Sequence, residues 1–332
     1  MSSGTRSATG GQARTVTHDV HVIAPRDVPL GGLRAMTVRR TLPARERAFV
    51  GAWCFVDHYG PDDVRGPNGT GGMDVAPHPH TGLQTVSWLF EGEVEHRDSA
   101  GVHAMVRPGE LNLMTAGRGI AHSEVSTAQT RTLHGVQLWV VLPEADAAAQ
   151  RDFQHHEPGV IVLEGATARV FIGALAGVQS PVRTATPLLG AQLDLDPGAR
   201  LQLAVDQAFE HAVLVDQGSV TLDGAPLARG ELGVRDTGHP TLDLRAGQDG
   251  PARVLLLGGA PFEEPTVMWW NFIGRSHEEI AQYRQEWEDG ATGGDAGRFG
   301  VVSGYVGGVE RIPAPPLPGV RLRPRTRTGV RS

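Results

Sequence analysis

Short apolar runs broken by Gly and Pro dominate the chain, and alternation of period two within such runs is the pattern of half-buried β-strands. Val20-His-Val-Ile23, Val38-Arg-Arg-Thr-Leu42 and Phe55-Val-Asp-His-Tyr-Gly-Pro61 predict strands, the last running into a turn. Leu83 to Phe90 and Leu133 to Leu142 predict longer ones, with turns at Pro108-Gly109 and Gly117-Arg-Gly119 between them. One segment carries helical spacing instead. Ser276-His-Glu-Glu279 has the form of a capping box, and Ile280, Tyr283 and Trp287 recur on one face, which predicts an amphipathic helix over 276–289.

The strand pattern repeats. Val86-Ser-Trp-Leu-Phe-Glu-Gly-Glu-Val94 resembles Ala212-Val-Leu-Val-Asp-Gln-Gly-Ser-Val220, and Gly109-Glu-Leu111 followed by Gly117 resembles Gly230-Glu-Leu232 followed by Gly238. Two copies of one β unit follow. The length of 332 residues suits two domains, and 44 Gly with 23 Pro suit many short strands and turns. The expected fold class is all-β, two tandem barrels with few short helices. The expected division is a tail over 1–17, an N-terminal barrel over 18–150, a C-terminal barrel over 151–310 and a Pro/Arg-rich tail over 311–332, with the barrels meeting near 145–160 and the helix outside them.

Charge and composition remove several functions. A net charge of −7 argues against a sequence-independent nucleic-acid binder, which neutralises phosphates with clustered cations. The one basic run, Arg321, Arg323, Arg325, Arg327 and Arg331, reads as a solvated tail. Every basic residue is arginine, so Schiff-base chemistry and a Walker A phosphate loop, which need a lysine, are excluded. Cys54 is the sole cysteine, which excludes an intrachain disulfide and multi-thiolate zinc sites. The first residues lack a signal-peptide core and no long apolar span occurs, so the expected setting is cytoplasmic and away from membranes.

The chemistry lies in the histidines. Residues two apart on a strand face the same way, so His78 and His80 share a face, as do His122 and Glu124. Three imidazoles and a carboxylate suit Fe(II), Mn(II), Ni(II), Cu(II) or Zn(II). Each pair alone reads as ordinary surface or core histidine; the two pairs together, each beside a Gly/Pro turn in a β-rich unit, favour a metal. Carried across the repeat, these four positions become Ala204, Asp206, Asp243 and Arg245, which predicts one metal-binding barrel of the two. Gly117-Arg-Gly-Ile-Ala-His122 lacks the last glycine of a dinucleotide fingerprint. His155-His156 reads as a solvated pair at the join, and Trp269-Trp270 as packing.

The stretches HPHTGLQTVSWLFEGEVEHRDS, PGELNLMTAGRGIAHSE and LHGVQLWVVLP closely resemble the pirin family, a branch of the cupin superfamily. FVDHYGP and VMWWNFIGRSHEEI extend the resemblance over most of residues 20–320. It implies a bicupin with one divalent metal, commonly iron, held in the N-terminal barrel by His78, His80, His122 and Glu124. Many relatives have Glu where this chain has Gln84, whose amide can orient a water or a substrate hydroxyl from beside the metal but cannot act as a base.

Two uses of such a site follow. Pirins with quercetinase activity imply a flavonol 2,3-dioxygenase, with a small aromatic substrate and Glu124 accepting the 3-hydroxyl proton. Other pirins imply a metal-dependent regulator that contacts a protein partner, a transcription factor or a metabolic enzyme. A metal that only braces the barrel is a third reading, disfavoured because four protein ligands leave open coordination positions.

Overall fold

In a computed structural model, residues 19–29, 36–64, 72–290, 297–327 and 329–330 are described. The tail expected over 1–17 lies outside them. The architecture is β throughout, with two barrels of the same plan: a seven-stranded antiparallel sheet facing a four-stranded one.

In the first barrel the large sheet runs in the spatial order Asp152–His156, Leu111–Thr115, Leu83–Glu91, Thr132–Val141, Trp53–Asp63, Thr37–Leu42, Arg26–Pro29. Its small sheet is Asp74–His80, Ile120–Ser126, Val94–Asp98 and His103–Val106. In the second barrel the large sheet is His21–Ile23, Leu232–Arg235, Glu210–Gln217, Ala252–Gly259, Leu188–Leu195, Ala166–Ile172 and Ile161–Leu163. Its small sheet is Arg200–Ala204, Thr241–Ala246, Val220–Leu222 and Ala225–Leu227.

Two strands cross the expected 150/151 division. His21–Ile23 pairs with Leu232–Arg235 in the second barrel, while Asp152–His156 pairs with Leu111–Thr115 in the first. His155 and His156 are therefore part of an edge strand and not a solvated linker; His155 Nδ1 lies 2.7 Å from Asn112 Oδ1. Each barrel takes one strand contributed from beyond the division, which ties the two halves together.

Strand alternation decides which residues go where. In the first large sheet Thr85, Ser87, Gln137, Trp139, Phe55 and Asp57 face the barrel interior, and Val86, Trp88, Val136, Leu138 and Val56 face out. Those outward residues are buried against Phe171, Leu214, Leu255 and Leu257 of the second large sheet, forming one core between the barrels. The Trp88 and Phe171 rings lie 4.6 Å apart, and Trp88 Nε1 donates to Gln192 Oε1 at 2.9 Å. Burying a Val, Leu or Phe side chain fully is worth roughly 1.5–3 kcal/mol, so this face alone makes the barrels one unit.

The second barrel fills its own interior with Leu201, Leu203, Val213, Val215, Leu242, Leu244 and Leu256. The inward residues of its small sheet are thus apolar, chiefly leucine. The repeat alignment had placed Ala204, Asp243 and Arg245 opposite the first-barrel ligands, but Ala204 is exposed and Asp243 meets Arg200 and Arg245 on the outer face. One residue of slip exchanges the faces of a strand.

The helix His277–Asp289 forms as the capping pattern predicts, with Glu279 N donating to Ser276 Oγ at 3.1 Å. The Glu279 carboxylate turns to the Arg275 N–H at 2.8 Å instead of completing the box. Ile280 and Trp287 bury against Val267, Phe272, Phe299 and Ala314. The C-terminal run is corrected in part: Arg325 and Arg327 pack, Arg321 and Arg323 are exposed as expected, and Arg331 lies outside the described residues. Ala314 is buried, Arg325 bridges Thr266, and Arg327 donates to Glu210 at 2.7 Å. Among the described residues no helix is long and apolar enough to cross a membrane.

Candidate metal centre and its cavity

The Asp74–His80 and Ile120–Ser126 strands pair antiparallel, with His78 opposite His122 and His80 opposite Ile120. All three imidazoles are buried inside the first barrel, and His80 Nε2 lies 3.0 Å from His122 Nε2. Two glycines let the chain reach this arrangement. At Gly82, φ is +68°, and a Cβ there would stand 2.5 Å from the Ile273 carbonyl oxygen. At Gly117, φ is +52°, and a Cβ would stand 2.0 Å from the Ala149 carbonyl oxygen.

Two of the rings have a neighbour at the other nitrogen, while His80 Nδ1 is buried without a hydrogen-bond partner among the described residues. His78 Nδ1 lies 2.9 Å from the Ala76 carbonyl, which takes its proton and leaves Nε2 as a lone-pair donor. His122 Nδ1 lies 3.4 Å from His96 Nδ1, and His96 Nε2 lies 3.5 Å from Asp98 Oδ2. The Asn271 backbone lies against His80. Burial pushes His78 down to about 4, and burial with the neighbouring imidazoles holds His80 and His122 well below the ordinary histidine range. The three rings are therefore neutral at pH 7, the protonation state a metal requires.

Glu124 stands apart from part of this set. A bulge between His122 and Glu124 sets Glu124 opposite Val75 on one side and His96 on the other. The donor atoms of His78, His80 and His122 lie within 4.8 Å of one another, as do those of His96, His122 and Glu124, but the four expected ligands do not form one group at that spacing. Burial raises the Glu124 pKa, while His96 and the Ser87 hydroxyl, which donates to Oε1 at 3.4 Å, oppose it. The donor set fits a divalent transition metal: close buried imidazole nitrogens with no competing cation, and a carboxylate within reach. His96 went unrecognised in the sequence, where it is a single histidine whose pairing with Glu124 depends on strand register.

Gln84 is a correction. It faces away from the histidines, since its neighbours Thr85 and Ser87 alternate with it and Ser87 is the one that reaches Glu124. Its amide donates to Thr115 Oγ1 at 2.9 Å on the outer face of the sheet. It cannot orient a substrate in this cavity.

A cavity of about 380 Å³ opens beside the histidines. His78, His80, His122 and Glu124 line one part of it; Phe55, Trp139, Tyr59, Arg40, Asp57 and Trp270 line others. Phe55 and Trp139 are stacked, 4.0 Å apart and 11° from parallel. Trp270 sits at the turn between Val267–Trp269 and Phe272–Gly274 with φ at +52°, a left-handed conformation that costs a bulky residue about 1–3 kcal/mol. The sequence had assigned Trp269-Trp270 to packing. Trp269 does pack beneath the helix, but Trp270 also forms cavity wall.

A second buried histidine cluster lies between the barrels. His58 Nε2 is 2.7 Å and His134 Nε2 2.5 Å from the same oxygen of Asp216 in the second barrel. Arg39 Nε donates to His58 Nδ1 at 3.3 Å, so His58 carries its own proton on Nε2 and gives it to Asp216. That nitrogen has no lone pair left for a metal. The cluster is a hydrogen-bonded clamp between barrels.

Fold and site together define a bicupin with one histidine-lined cavity and one leucine-filled barrel. The Pirin family profile matches residues 34–140, and the profile of the Pirin C-terminal cupin domain matches residues 190–293. A Pseudomonas aeruginosa protein named "Putative quercetin 2,3-dioxygenase" is 44% identical over 91% of each chain. A "Pirin-like protein" of Caulobacter vibrioides is 36% identical over 76% of this chain and 88% of that one. The crystal structure of a quercetin 2,3-dioxygenase from Acinetobacter baumannii superposes with a TM-score of 0.83 at 35% identity, covering 91% of this chain and 97% of the other. The chain belongs to the pirin family.

Proposed function

We propose that this protein is a metal-dependent quercetin 2,3-dioxygenase acting on flavonol-like aromatic compounds with O₂. The observation that carries the reading is the opening of neutral, buried His78, His80 and His122 onto a cavity walled by stacked aromatic rings. Its volume lies within the usual range for small-molecule sites. Relatives named for this activity support the same substrate class.

His78, His80, His122 and Glu124 would hold the metal, for which we propose Fe(II). When bound, the metal supplies a Lewis acid and coordination positions for substrate oxygens. The chain's own residues do the rest. Phe55 and Trp139 line the cavity as an apolar wall for an aromatic ligand, and the buried walls exclude water. Glu124 would take the proton from the flavonol 3-hydroxyl, as the buried carboxylate on the cavity wall next to His122.

The test is O₂ uptake by iron-loaded protein on addition of quercetin under otherwise anaerobic handling. Uptake with loss of flavonol supports the enzyme. Metal bound at full occupancy without uptake on any flavonol or catechol would instead leave the regulatory reading, a metal-dependent contact with a protein partner.

A further inference from the structure

The aromatic wall continues past the histidines to a charged end. His80 and Trp139 rings are 5.1 Å apart, Trp139 and Phe55 4.0 Å, and the Arg40 guanidinium carbon lies 4.0 Å over the Phe55 ring. Trp139, Phe55 and Arg40 project from three neighbouring strands of the large sheet and His80 meets Trp139 from the facing small sheet, so the row runs from the metal ligands to a cation. Arg40 is held in place by Asp57: Nε donates to Oδ1 and Nη2 to Oδ2, both at 2.7 Å. Among the described residues its third nitrogen, Nη1, makes no hydrogen bond, and both residues line the cavity.

An ion pair inside an apolar cavity is costly unless its spare donors are used. Guanidinium is also planar, always charged and suited to receiving an oxygen in the plane of a flat ligand. We infer that Arg40 is a specificity-determining residue: it receives an oxygen at the far end of a flat aromatic ligand whose near end sits at the histidines. The site then selects multi-ring phenols that carry oxygens at both ends over those oxygenated only at the metal end. Asp57 is the positioning residue that fixes the guanidinium plane. The inference rests on the reading of the cavity as a flavonol site.

Quercetin and 3-hydroxyflavone separate the two ends, because they share a ring skeleton and the second lacks the distal hydroxyls. Their dissociation constants are measured by calorimetry on the iron-loaded protein without O₂. The wild type should bind quercetin about ten-fold more tightly, the scale of one charge-assisted hydrogen bond. Arg40→Gln/Asp57→Asn keeps a neutral hydrogen-bonded pair, so no buried charge is stranded, and should bring the two constants within about three-fold. Arg40→Lys keeps the charge beside Asp57 but loses the planar fork, and should also lose most of the preference. A preference kept in both variants, or none in the wild type while O₂ uptake persists, overturns the role of Arg40 and leaves the dioxygenase reading intact. Failure of both compounds to bind the wild type overturns both.

Discussion

His80 Nε2 lies 3.0 Å from His122 Nε2, inside a barrel where burial keeps both rings neutral. Two lone pairs at that distance repel unless a cation or a proton lies between them. His78 completes the group, and its Nδ1 proton is already committed to the Ala76 carbonyl.

Metal content follows from this. One divalent ion per chain is expected, and His122→Ala should reduce occupancy by at least about ten-fold, the scale of removing one metal ligand or its supporting partner. His96→Ala should weaken binding less, because His96 orients His122 from its other nitrogen. Elemental analysis and calorimetric titration read both. Two tightly bound equivalents would place a metal elsewhere.

Acid should destabilise the metal-free fold through its buried neutral imidazoles, both those of the metal centre and others far from it. Burial lowers His58, and His211 is pushed down to about 4 by burial. Unfolding lets these rings take protons at their ordinary pKa near 6.5, so stability is full above that pH and falls as pH drops below it. Asp216 adds a second loss at lower pH: burial raises it, but hydrogen bonds from His134 and His58 outweigh that and hold it well below the carboxylate range. Its contribution is present above about pH 4 and lost below. Urea melts of metal-free protein from pH 8 to 4 should show a midpoint that is flat above pH 7 and declines below 6.5. A midpoint rising on acidification would contradict the assignment.

Gln84→Glu tests the face on which residue 84 lies. The amide is 4% exposed and bonded to Thr115 on the outer side of the sheet. A carboxylate there would bury a charge where a neutral amide now bonds Thr115 and should cost about 1–3 kcal/mol of stability, with O₂ uptake per bound metal unchanged. Raised uptake at unchanged stability would return this side chain to the cavity.

The sequence made the local parts of the site legible. His78 with His80 needs only period-two alternation, and the repeat with its glycines gave both barrels. Register across strands was not legible. The bulge that turns Glu124 toward His96, and the one-residue slip that made Asp243 stand for the inward leucines, both depend on pairing between distant segments. His58, His134 and Asp216 come together only because two barrels pack face to face, and no spacing along the chain announces that. Arg325 and Arg327 looked solvated because their partners Thr266 and Glu210 lie far back in the chain.

Glu124 carries the central chemical claim, since it is the buried carboxylate beside His122 on the cavity wall. Glu124→Gln keeps an oxygen of similar size and removes the basicity. The deciding measurement is the rate of quercetin-dependent O₂ uptake by wild type and Glu124→Gln at equal bound iron. The account predicts a fall of about 10² or more, the range for losing a general base, with metal content reduced only in part. Uptake at the wild-type rate per bound iron would contradict it.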